Sequence, residues 1–194
     1  APNTLHGWYG PARDFGYLAE VQPVWDANCL SCHDWGGTGA GHLVLAGDKG
    51  LFFNASYTEL WSKGYTGAIG AGPAAVQQAR AWGTHASPLI NHLESDPSHQ
   101  AAVTLSTEEK ERITTWLDLN APYYPSYASA YPDNLAGRSP LNNTQLDRLG
   151  VLTGRNLHAM SGRTTNPGPQ VCFDRPDKSP CLAGLTGANY DEAL

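Results

Sequence analysis

Phe15, Leu18, Val21, Val24 and Trp25 recur at intervals of three or one and form a single apolar stripe. That period predicts a helix from about Asp14 to Asn28. Pro23 lies inside it and either bends it or opens a fresh helical start. Ser56 to Trp61 reads as a short helix capped by Ser56. After Gly72-Pro73, the stretch Ala74 to Trp82 has good helix propensity. Ser87-Pro88 opens another helix, with Leu89, Ile90 and Leu93 on its buried face and Pro97 at its end. The clearest helix runs from Ser106 to Leu119. Ser106 and Glu109 form a capping box, and Ile113, Trp116, Leu117 and Leu119 supply the apolar side. The charges from Glu108 to Arg112 read as its solvated face.

Between these segments the texture is irregular. Residues 34–54 are rich in glycine, a loop with room for a short strand at Leu43-Val44-Leu45. Residues 122–140 are rich in Pro, Tyr, Ser and Gly and read as a linker or an arm. Asn142 or Asn143 to Leu152 can form one more helix, capped by Asn143 or Thr144. The closing Ala188 to Leu194 looks like the first turn of another, as in a fragment of a longer protein. The expected fold is therefore mostly α, a helical domain over residues 1–125 followed by a long irregular extension over 126–194.

The chain has 194 residues, is 41% hydrophobic and carries a formal charge of −6. Without a basic stripe to neutralise phosphates, nucleic-acid binding is not expected. No window approaches the roughly 18 apolar residues of a membrane-spanning helix. The opening Ala1-Pro2-Asn3 fits a processed export product. Cys172 and Cys181 enclose a Pro-containing loop, which predicts a disulfide if the protein reaches an oxidising compartment, and two free thiols otherwise.

The chemistry concentrates in Cys29-Leu30-Ser31-Cys32-His33. This C-x-x-C-H run is the attachment signature of heme c: each thiol can add to one vinyl group, and the imidazole that follows becomes the proximal iron ligand. A structural zinc site would need two more closely spaced ligands, which the sequence lacks. The second axial ligand is less constrained. Met160 is the only methionine, far along the chain; the later histidines are His42, His85, His92, His99 and His158. His99 stands in the loop before the last core helix and is the favoured ligand. His85 is the runner-up, His92 reads as a half-exposed structural histidine, and an open distal site is the remaining alternative. Trp25, Leu30, Leu89, Leu93, Ile113 and Trp116 are candidates for the heme's packing shell. Arg80, Trp82 and Arg13 are candidates for its propionates.

Cys29 to His33, Asn54-Ala55-Ser56-Tyr57, His85-Ala86-Ser87-Pro88-Leu89 and Trp116 to Tyr124 together resemble a group of c-type cytochrome domains. These domains occur in large secreted proteins of planctomycete-type bacteria, among them the C-terminal heme domain of the hydrazine synthase alpha subunit. Weaker echoes fall at Gly137 to Leu141 and Phe173 to Pro176. The resemblance implies a cytochrome c-like fold around one covalent heme c and a bis-histidine iron, with His99 at the aligned distal position. It does not extend to the rest of hydrazine synthase, so no catalytic activity follows. The expectation is an exported, periplasmic monoheme cytochrome. It passes single electrons to a redox partner protein or a fused enzyme domain and is not itself an enzyme. The alternative is a heme protein with an exchangeable distal site, acting as a small-molecule redox enzyme or gas sensor.

Overall fold

The computed structural model describes residues 8–70, 76–126, 128, 131–134, 139–158 and 168–194. Among these the protein is all-α, with no strand and one isolated bridge, Lys49 to Asn54. Leu43-Val44-Leu45, where the loop had room for a short strand, forms none.

The first apolar stripe splits in two, α1 (Tyr17–Glu20) and α2 (Gln22–Asn28). Pro23 has no N–H to give, and it sits in the first turn of α2, where none is needed. Pro23 thus marks a new start rather than a bend. The chain then runs through Cys29 into the single turn α3 (Leu30–His33). α4 (Ala55–Ser62) is capped by Asn54, whose side chain accepts from the Tyr57 N–H. Ser56, expected as the cap, is instead fully buried and holds Tyr17 and Gln22. α5 (Pro88–Ser95) and α6 (Pro97–Ala102) follow a short turn of 3-10 helix at Gly83–Ala86. Ser87 precedes α5 but makes no cap bond; its hydroxyl donates to the Gly83 carbonyl and accepts from the Gly67 N–H. Of the helix expected from Ala74 to Trp82, the described residues 76–82 are irregular, and Arg80 there has φ 64.

α7 (Thr107–Asp118) has the expected capping box. It packs on α1, and between them Tyr17, Val21, Trp25, Leu60 and Trp116 are fully buried. Polar tips in this aromatic core are paired at Trp25, Trp116 and Tyr57, as burial demands. Trp25 Nε1 donates to the Tyr17 hydroxyl at 2.9 Å, and Trp116 Nε1 to the Pro122 carbonyl at 3.0 Å. Tyr57 donates to the Ala121 carbonyl at 2.7 Å. Leu18 and Leu119, counted as apolar-face residues by their spacing, lie half exposed.

The charges of α7 are less solvated than their pattern suggests. Arg112 turns inward to Glu20, whose carboxylate is buried and also held by Arg13 at 2.5 Å. Glu109 accepts from Asn28 at 2.8 Å. These contacts tie α7 to the helices that lead into the C-x-x-C-H turn.

After residue 139, α8 (Asn143–Thr153) is capped by Asn142 in a second capping box with Gln145, one residue before the expected cap. It packs on the terminal α9 (Ala188–Ala193), where Arg148 and Glu192 pair at 2.6 Å. Leu146, Leu157, Val171, Cys181 and Leu182 gather into a second apolar cluster, which takes Leu51 and Phe52 from the first half of the chain. The bridge expected between Cys172 and Cys181 is not formed. Both are buried free thiols, and that of Cys172 engages the Asp48 carboxylate. Burial pushes the Cys172 thiol up to about 12.

Candidate heme site

α2 delivers Cys29 to the rim of a cavity of ≈ 530 Å³, and α3 carries Cys32 and His33 along one side of it. Cys29 is buried, and desolvation pushes its thiol up to about 11; Cys32 is exposed. His33 Nδ1 lies 2.7 Å from the Leu43 carbonyl. A carbonyl only accepts, so Nδ1 carries the proton and Nε2 keeps its lone pair, the state a metal ligand needs. Two backbone bonds fix the loop around this turn, from Gly39 N–H to the Cys32 carbonyl at 2.8 Å and from Leu45 N–H to the His33 carbonyl at 2.8 Å.

Gly39 lies flat against the imidazole. A Cβ there would meet three ring atoms of His33 at 2.7–2.9 Å, closer than side chains pack. The ring therefore has one position, set by a carbonyl on one side and a bare backbone on the other. Gly39→Ala is expected to push the imidazole off its seat and to destabilise the protein by about 1–3 kcal/mol, the scale of overpacking a tight site. Urea unfolding checks it; unchanged stability would show that the ring has another seat.

Across the cavity stands His99, on α6 rather than in a loop. Asp96 caps that short helix, accepting from the Ser98 N–H, and Pro97 begins it. The rings of His33 and His99 have centroids 6.1 Å apart and planes within 17° of parallel. Two imidazoles bonded to one metal at about 2 Å each have centroids about 6 Å apart. His99 Nδ1 is buried without a hydrogen bond of good geometry; its nearest polar group is Asp96 Oδ2 at 3.4 Å. Hydrogen bonds from the Ser98 hydroxyl and N–H, with a smaller contribution from His99, hold the Asp96 carboxyl down at about 2.

The walls between the two imidazoles are apolar, with Trp25, Leu43, Leu45, Leu89, Leu93 and Val103 prominent. Of the proposed packing shell, Trp25, Leu89 and Leu93 line the cavity. Leu30, Ile113 and Trp116 belong to the helical core without lining it. None of Arg13, Arg80 and Trp82 reaches the cavity, and Arg13 is taken up by Glu20. His85 is exposed on the 3-10 turn, outside the lining, so the runner-up ligand is set aside. His42 and His92 do line it, whereas His158 pairs with Asp147 at 2.8 Å. Met160 lies outside the described residues.

Among the described residues no three or more His, Cys, Asp or Glu side chains gather into a metal cage. Two opposed imidazoles with two thiols at the rim of an apolar cavity fit a planar, iron-bearing macrocycle instead. The close fit of Gly39 on the His33 ring and the ring spacing both agree with that group. No family model, no curated protein and no solved structure matches the chain.

Sequence reasoning missed three parts of the site. Gly39 was read only as loop flexibility. Asp96 was legible as a cap before Pro97 but not as a neighbour of His99. Arg175 lies in the echoing segment Phe173 to Pro176, but no local signal names its partners: it donates to Asp34, the residue after His33, at 2.6 and 2.8 Å, and to Asp48 at 2.7 Å, from far along the chain.

Proposed function

We propose that this protein is a monoheme c-type cytochrome that moves single electrons, with His33 and His99 as axial ligands and thioether links at Cys29 and Cys32. One observation carries the reading. The imidazoles of His33 and His99 face each other 6.1 Å apart, nearly parallel, across a cavity whose rim bears the two thiols. Bound there, heme supplies a one-electron iron couple, tuned by its axial ligands and its surroundings.

The chain's residues would do the rest. The Leu43 carbonyl fixes the His33 tautomer and raises the basicity of Nε2. The apolar walls exclude water and favour the less charged oxidation state. With both axial positions filled by protein, no site is left for substrate on the metal, which favours electron transfer over catalysis. The exposed Cys32 leaves the cavity open at that edge, where a redox partner protein or a fused enzyme domain would dock. Among the described residues no helix is long and apolar enough to cross a membrane. Covalent heme attachment belongs to exported proteins, so a periplasmic location is part of the proposal.

The test is the spectrum of purified protein matured with a c-type attachment system. It is expected to give a pyridine hemochrome of c type, a low-spin reduced spectrum, and a Soret band unmoved by carbon monoxide. A fast stoichiometric shift with carbon monoxide would replace the proposal with the open-site reading, an enzyme or gas sensor. Absence of the c-type band would remove heme altogether.

A further inference from the structure

We propose that His92 is a second distal ligand, able to take the iron when His99 leaves it. The inference rests on the heme reading above and adds a coordination state to it. His92 lies on α5, lines the same cavity as His33 and His99, and has its ring centroid 6.3 Å from that of His99. Both rings turn the same atom toward one carboxylate: Nδ1 of His99 is 3.4 Å from Asp96 Oδ2, and Nδ1 of His92 is 3.9 Å from it. In an imidazole the two nitrogens diverge, so a ring whose Nδ1 faces Asp96 turns Nε2 away from it. Since both rings border the cavity, two Nε2 lone pairs become available on the distal side, one engaged and one in reserve.

Nothing else claims His92. Its ring leans on Tyr65 at 5.4 Å between centroids, its side chain is 49% exposed, and its one ion pair among the described residues is with Asp96 at 3.9 Å. The two ligands sit on adjoining short helices. Asp96 is the single residue between α5 and α6, and α6 has only six residues. A shift of α6 away from the iron, with α5 moving in, exchanges one imidazole for the other. Packed helices make such discrete steps between two seats rather than deforming continuously. The exchange moves no atoms between molecules: one iron–nitrogen bond breaks, one forms, and iron keeps its oxidation state.

The experiment compares wild type, His99→Ala, His92→Ala and the double variant, each heme-loaded, by electron paramagnetic resonance and carbon monoxide binding. His92→Ala is expected to stay low-spin through His99 but to react with carbon monoxide faster than wild type on prolonged exposure, because nothing then takes the iron when His99 leaves it. His99→Ala is expected to stay mainly low-spin with shifted g-values and to bind carbon monoxide more slowly than the double variant, by about tenfold or more. The double variant is expected to be high-spin and to bind it at once. If His99→Ala is already as high-spin and as reactive as the double variant, His92 has no ligand role. If His92→Ala alone becomes high-spin, His92 is the primary ligand and the assignment is reversed. Loss of covalent heme from wild type would instead defeat the underlying heme reading, a result that pyridine hemochrome analysis separates from the others.

Discussion

The double variant Cys29→Ser, Cys32→Ser is expected to carry no heme that survives denaturing electrophoresis, where the proposed function gives wild type one per chain. A hydroxyl does not add to a vinyl group as a thiolate does, so both covalent links disappear together. Each single variant is expected to retain one link. The effect should reach beyond the cofactor. The site is an apolar cavity of ≈ 530 Å³ inside the helical core. Several of its lining residues are exposed, so without an occupant water wets its apolar walls, and an occupant that covers them stabilises the fold by roughly 25 cal/mol per Å² of apolar surface buried. Heme-free double variant is therefore expected to unfold at markedly lower urea than heme-loaded wild type, followed by tryptophan fluorescence. Equal midpoints would mean that the cavity closes by itself and that the fold does not depend on its occupant.

Arg175→Ala is expected to destabilise the protein by about 2–3 kcal/mol, measured by urea unfolding. The guanidinium forks onto Asp34 at 2.6 and 2.8 Å and onto Asp48 at 2.7 Å. Asp48 is the costly partner because its side chain is only 5% exposed. Removing the cation leaves that carboxylate buried with only the Trp35 indole and the Cys172 thiol, and breaking a buried pair costs about 3–5 kcal/mol. The guanidinium itself is 36% exposed, so solvent screening reduces the figure. The pH dependence gives a second readout. Burial alone would raise the Asp48 carboxyl, but hydrogen bonds from Arg175 and Cys172 and the nearby positive charge outweigh it and hold it below its ordinary value. A carboxyl lower in the folded than in the unfolded state contributes stability that is complete above about pH 4 and is lost as pH falls through the lowered value. Arg175→Ala should flatten that acid limb. Unchanged stability at neutral pH would show that the fork is replaceable by water.

The helices near the motif were legible because their signals are local. The capping box at Ser106 and Glu109, the stripe through Val21 and Trp25, and the Ser87-Pro88 start are each contained within one or two turns. That His99 rather than His85 would stand opposite His33 was also readable, from its place just before α7. What the sequence hid was pairing across distance. Arg112 looks like part of a solvated face until Glu20 arrives beneath it, and Arg13 looks free until the same carboxylate takes it. His92 sits at the margin of an apolar face, and only the turn at Asp96 brings it beside His99. The Cys172 thiol was paired on spacing alone, whereas its actual neighbour, Asp48, comes from the glycine-rich loop.

The second apolar cluster has a practical consequence for anyone wishing to transplant this module. Leu51 and Phe52 belong by sequence to the half that carries the Cys29 to His33 motif but are covered by residues from 141 onward. A gene cut after residue 125 would bare them and strip Arg175 from Asp34, the neighbour of His33. The smallest portable unit therefore runs on through α9, and a fusion partner should be joined outside it.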